Sequence, residues 1–122
     1  MPAHVAPMIH VPDVRAAAAW YESIGFTIAE THQDGGVMDW ADLRFGSGQV
    51  MLNAGAHARG PERRDVDLYV YLDDVDAVYE SLKDRVDLVE TLNDTFYGHR
   101  VFIIRDPNGF WITFAADTQA QR

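Results

Sequence analysis

The chain has no cysteine among its 122 residues. Disulfides, thiolate metal sites and thiol nucleophiles are thereby excluded. Basic residues are scarce, with 10 Lys and Arg against 19 Asp and Glu and a formal net charge of −9. Nucleic-acid binders carry the opposite sign, because they must neutralise phosphates, so no nucleic-acid partner is expected. No apolar run reaches the length that spans a bilayer, so no membrane partner is expected either. The opening stretch MPAHVAPMIHVPDV lacks a basic region followed by a long apolar segment, the pattern of a secretory signal, and a cytoplasmic location is expected. Catalytic signatures are missing too. There is no G-x-S-x-G elbow, no glycine-rich phosphate loop and no H-E-x-x-H pair.

What is present is an ordinary globular mixture, 48% hydrophobic and 24% charged. The length suits one domain over residues 1–122. Within it a phrase occurs twice. DVRAAAAWYES at Asp13–Ser23 returns as DVDAVYES at Asp74–Ser81. The surroundings repeat as well. Val5–Val11 alternates as a strand. Asp13 then caps a helix whose apolar face is Val14, Ala17, Ala18, Tyr21 and Ile24, with Gly25 ending it. Phe26–His32 reads as a strand, and Val37–Phe45 with Gln49–Ala54 as a hairpin about the turn Gly46–Gly48. The second copy has the same order. Val66–Leu72 is a strand, and Asp73 or Asp74 caps a helix with Val75, Val78, Tyr79 and Leu82 on one face. Asp87–Leu92 is a strand, and Arg100–Arg105 with Phe110–Ala115 is a hairpin across the DPNG turn. The polar, glycine-containing stretch 55–65 reads as a linker between modules of about 1–54 and 66–122. The fold class is therefore α+β, two βαβββ modules related by pseudo-symmetry. A module covers one sheet face with its helix, and the two open faces are expected to curve around a shared cavity.

The segments PMIHVPDVRAAAAWYESIGF, LYVYLDDVDAVYESL and YGHRVFIIRDPNGFWITFA, in this order and spacing, resemble the vicinal oxygen chelate superfamily. That superfamily holds glyoxalase I, extradiol dioxygenases, fosfomycin-resistance enzymes and bleomycin-resistance proteins. The resemblance implies where a metal would be held in the catalytic members. The first position falls on Ala6, the second on Met51 or Asn53, the third on Asp67 and the fourth on Thr113, where metal enzymes have Glu. Of these only Asp67 offers an anionic donor. His10, two residues beyond Ala6, shares its strand face, but His10 and Asp67 together are too few ligands. No metal and no other cofactor is expected, and no catalytic residue is assigned. His4, His32 and His57 read as exposed polar residues. His99 reads as solvent-exposed, with the cavity mouth as its other place.

Strand alternation gives the cavity lining independently. Val66, Leu68, Val70 and Leu72 should pack on the helices, which turns Asp67, Tyr69 and Tyr71 the other way. Phe110, Ile112 and Phe114 take the helix side, leaving Trp111 and Thr113 inward. Val5, Ile9 and Val11 face the helices, leaving Met8 and His10 inward. Trp40 shares a face with Met38 and Asp42, and that face is taken as inward. Met51 and Asn53, the fourth-strand positions that the resemblance implies, join the candidate ligand contacts, and Tyr97 or Phe96 stands at the rim. An aromatic lining with a carboxylate suits flat, cationic organic molecules. The other reading is that these aromatics fill a second core or a subunit interface.

Within the superfamily the short, acidic chain and its YGHR segment most resemble bleomycin-resistance-type proteins. That resemblance implies a homodimer with ligands in grooves between subunits, and an N-terminal arm exchanged between them or else frayed. The expected function is non-catalytic binding and sequestration of a small organic molecule. The alternative is a divalent-metal lyase, isomerase or dioxygenase. An assembly unit without an open groove is the third possibility.

Overall fold

The computed structural model describes residues 4–55, 64 and 66–117. Two compact units divide the chain, the first ending at Ala58 and the second beginning at Arg59. Each is a βαβββ module, and each forms its own four-stranded mixed sheet.

The first unit contains β1 (Met8–Val11), α1 (Val14–Ser23), β2 (Thr27–Asp34), β3 (Val37–Phe45) and β4 (Gly48–Ala54). The order across its sheet is β1-β4-β3-β2, with β1 parallel to β4 and the other pairs antiparallel. Asp13 begins α1 as expected: its carboxylate accepts the Ala16 backbone N–H at 3.0 Å. The stripe Val14, Ala17, Ala18 and Tyr21 is buried. Tyr21 meets Phe26 edge-on at 5.2 Å, and Phe26 meets Phe45 at 5.0 Å. Gly25 turns the chain out of the helix at φ +118°, where a side chain would be strained and a Cβ would stand 3.1 Å from the Phe45 ring.

The second unit contains β5 (Asp67–Tyr71), α2 (Val75–Leu82), β6 (Asp87–Asp94), β7 (His99–Arg105) and β8 (Trp111–Asp117), in the order β5-β8-β7-β6. Of the two aspartates proposed as caps, Asp74 is the one, accepting the Ala77 N–H at 3.0 Å. Its core is aromatic. Phe102 stacks on Phe114 at 4.9 Å, and Tyr79 of α2 approaches Phe102 edge-on at 5.1 Å. The DPNG turn is held by Asp106, whose carboxylate accepts the N–H groups of Asn108 and Phe110, each at 2.8 Å. Arg100 donates to Asp76 of α2 and Asp94 of β6, joining the helix to the sheet.

Two helix-side assignments need correction. Val5 is 94% exposed and Val66 is also exposed, although both were expected to pack on the helices. The ladders start only at Met8 and Asp67, so these valines precede them. Leu72 is only half-buried for the corresponding reason, since β5 ends at Tyr71. Most of the expected linker 55–65 and the first three residues of the N-terminal arm lie outside the described residues. The rest of the arm runs beside β4, where the Pro7 carbonyl accepts the Met51 N–H at 2.9 Å.

Candidate functional site

In the first sheet the helix side is apolar and closed, with Ile9, Ala41, Leu43 and Leu52 all buried. The open side carries the five residues proposed there. Met8 pairs with Met51, and Met51 with Asp42, in one row across the strands. His10 pairs with Asn53, and Asn53 with Trp40, in the next. Trp40 thus shares the face of His10, as expected. Asn53 donates its side-chain amide to the Met8 sulfur at 3.6 Å. The strongest polar feature of this face was not singled out from the sequence. Asp42 is buried, and its carboxylate takes Nη2 of Arg44 at 3.0 Å, Nε of Arg44 at 3.2 Å and Nε2 of Gln49 at 2.9 Å. The Arg44 hydrogen bonds hold the Asp42 carboxyl below the usual carboxylate range against the opposing effect of burial, and Gln49 adds to them. Gln49 in turn meets His4 at 2.9 Å. The i, i+2 spacing of Asp42 and Arg44 on a strand was the available signal, because such residues share a face.

In the second sheet Leu68, Val70, Ile112 and Phe114 face the helix and are buried. Asp67, Tyr69 and Tyr71 alternate with them and are exposed. The register aligns Asp67 with Trp111, Tyr69 with Thr113 and Tyr71 with Ala115. Tyr69 and Tyr71 have ring centroids 6.0 Å apart. His99 stands edge-on to Tyr71 at 6.0 Å and to Tyr97 at 5.3 Å. The exposed Phe96 meets Tyr97 at 5.1 Å at the tip of the β6–β7 hairpin. Ring contacts therefore run from Tyr69 through Tyr71, His99 and Tyr97 to Phe96 on this sheet, with Trp111 beside Asp67 in the register, and a second set of the proposed residues lies on the first sheet.

Two placements differ from expectation. His99 is half-buried rather than solvent-exposed, because Tyr71 and Tyr97 pack its ring. Thr113 is on the predicted face but only 3% exposed, in the middle of the sheet beside Tyr69. Burial pushes the Tyr69 phenol above the ordinary tyrosine value, and nearby Tyr97 adds to the shift. A hydrogen bond with Thr113 works in the opposite direction. His57 lies outside the described residues.

The register also resolves the second of the metal positions implied by the resemblance. Met51 lies opposite Met8 as Thr113 lies opposite Tyr69, and Met8 and Tyr69 each precede their helix cap by five residues. Met51 and Thr113 are therefore matching positions, and Asn53 is not. Ala6 brings no donor atom, Met51 a thioether and Thr113 a buried hydroxyl. That set does not fit the hard or borderline divalent ions of the catalytic members. Among the described residues no three His, Asp or Glu side chains are grouped to hold a metal. No helix among them is long and apolar enough to cross a membrane.

Comparison with known proteins agrees with this architecture. Residues 2–114 match the family model of the Glyoxalase/Bleomycin resistance protein/Dioxygenase superfamily. The structure of TioX from Micromonospora sp. ML1 is similar at 24% identity, with a TM-score of 0.78, covering 95% of this chain and 99% of that one. A bleomycin-binding protein complexed with bleomycin is 19% identical, with a TM-score of 0.74, covering 94% and 98%. A bleomycin resistance determinant encoded on the transposon Tn5 is 19% identical, with a TM-score of 0.75, covering 95% and 98%. No curated protein matches the sequence. With a family match over nearly its whole length and two βαβββ modules in the expected order, the chain belongs to the glyoxalase/bleomycin resistance protein/dioxygenase superfamily.

Proposed function

We propose that this protein binds and sequesters a flat, cationic small organic molecule without catalysis, in the manner of a bleomycin-type resistance protein. One observation carries the reading. The open face of the second sheet presents Tyr69, Tyr71, Tyr97 and Trp111 beside Asp67, and Tyr71 is 65% exposed. Soluble proteins rarely leave such aromatic area uncovered without a use for it. Aromatic faces attract planar rings and cations, and a carboxylate beside them adds a preference of sign. The net charge of −9 acts in the same direction. On the first sheet, Met8, His10, Trp40, Met51 and Asn53 are proposed as further contacts. Thr113 acts through Tyr69. A homodimer in the cytoplasm is part of the proposal, with the single domain 1–122 as its unit.

The alternative, a divalent-metal lyase, isomerase or dioxygenase, has Asp67 in its favour and Ala6, Met51 and Thr113 against it. Titration with 9-aminoacridine, a planar cation, tests the leading reading. Tryptophan fluorescence should be quenched with saturation, and binding should weaken with salt but persist. Surface fields are screened over ~10 Å at 0.1 M ionic strength, whereas stacking is not. Absence of saturable binding across planar cations, together with a stoichiometric metal that survives dialysis, would turn the assignment to the enzyme.

A further inference from the structure

The two modules place an arginine at the same position on their open faces. Arg44 of β3 pairs with Gln49, and Arg105 of β7 pairs with Trp111. Gln49 and Trp111 each stand two residues before the matched pair Met51 and Thr113, so Arg44 and Arg105 correspond. Their surroundings do not. Arg44 is held by the buried Asp42 carboxylate through both Nε and Nη2. In the second module the residue in the place of Asp42 is Ile103, which pairs with Thr113 as Asp42 pairs with Met51. Among the described residues Arg105 keeps one ion pair, from Nη1 to the exposed Asp87 carboxylate at 3.2 Å, and its buried Nε meets no hydrogen-bond partner. A guanidinium has five N–H donors in a fixed fork suited to two carboxylate oxygens, and here most of that fork is unused.

Arg105 also lies where a ligand on the aromatic face would meet it. Asp67, Trp111 and Arg105 form one row across β5, β8 and β7. With strands ~4.8 Å apart, the carboxylate and guanidinium backbones stand ~10 Å apart with the indole between them. A fused aromatic ring system stacked on Trp111 spans that interval. We propose that Arg105 is an anion-recognition subsite, and that the preferred ligand is a planar zwitterion with its cationic group toward Asp67 and a carboxylate toward Arg105. The carboxylate then pairs with the accessible part of the guanidinium, the Arg105 side chain being 28% exposed. This rests on the binding function proposed above and deepens it.

The test compares 9-aminoacridine with 9-aminoacridine-2-carboxylate by calorimetric titration of the whole chain, wild type and Arg105→Gln. The wild type should bind the carboxylated compound ~10-fold more tightly, which is the effect of one partly exposed charge-assisted hydrogen-bonded pair. In Arg105→Gln the order should reverse, because the protein, one charge more negative than the wild type's −9, then repels the carboxylate without compensation. Affinity for 9-aminoacridine should change by less than ~2-fold, which also shows that the variant folds. Arg105→Lys should keep part of the preference, since an ammonium supplies charge without the fork. Equal affinity of the wild type for the two compounds would overturn the proposal and leave planar-cation binding intact. So would a preference for the carboxylate that survives Arg105→Gln. Binding of neither compound would remove the binding function and this subsite together.

Discussion

Tyr71→Ala separates a binding face from a hidden core. Tyr71 is 65% exposed, its ring tilted against Tyr69 and edge-on to His99, each at 6.0 Å between centroids. Little apolar area leaves water there when the chain folds, so truncation should alter stability by no more than ~0.5 kcal/mol, the usual range for surface substitutions. Binding should respond far more. Removing an aromatic platform from a stacked ligand costs ~1–3 kcal/mol, or ~5- to 150-fold in Kd. Phe114→Ala supplies the contrast. Phe114 is fully buried and stacked on Phe102 at 4.9 Å, and its loss should cost ~3–5 kcal/mol of stability through the cavity left behind. Urea unfolding gives the stabilities, and 9-aminoacridine titration under folding conditions gives the affinities. The expected pattern is a double dissociation: Tyr71→Ala weak in binding and normal in stability, Phe114→Ala the reverse. A Tyr71→Ala protein that binds normally but loses more than ~2 kcal/mol, and scatters light as a monomer where the wild type is a dimer, would refute the reasoning. Tyr71 would then belong to a subunit interface and not to a ligand site.

Light scattering should give a mass of two chains at micromolar concentration, and a concentration-independent monomer mass would count against the proposed dimer. The Asp42 carboxyl is held low chiefly by Arg44, so its contribution to stability is present above the unfolded-state pKa and is lost as pH falls through the folded one. Urea midpoints measured from neutral to acid pH should therefore fall less steeply for Asp42→Asn than for the wild type. His32 behaves with the opposite sign. Its hydrogen bond to Asp39 at 2.7 Å raises the imidazole pKa, so any stabilisation is present below the unfolded value and disappears as pH rises through the folded one. Proton NMR should show His32 titrating above a free imidazole, and Asp39→Asn should bring it back. Metal analysis of the dialysed protein should find no stoichiometric ion, and Asp67→Asn should leave chelator sensitivity unchanged.

The sequence by itself determined the repeat, and through it the fold. Asp13 and Asp74, each before an apolar stripe, mark two helices in matching places, and period-two alternation assigns the strand faces. These signals are local, arising from hydrogen bonds a few residues apart and from side chains that must alternate across a strand. The direction of Tyr69, Tyr71 and Trp111 was legible for the same reason. Strand ends were less so. Val5 and Val66 look like ladder residues in composition, but whether a neighbour pairs with them is a non-local matter. Only the tertiary structure decided which charges meet. Asp42 and Arg44 share a strand and a face, yet the burial of that carboxylate depends on Gln49 arriving from β4. Thr113 is hidden because Tyr69 of a parallel neighbour lies opposite it. His99 is packed because Tyr71 and Tyr97 come to it from different strands and turns. The sequence shows Ile103 two residues before Arg105, where Asp42 stands before Arg44. Only the fold shows that the buried Arg105 Nε meets no other partner among the described residues. Electrostatic partnership acts through space, and in a sheet the space beside a residue is set by the register of strands far away in the chain.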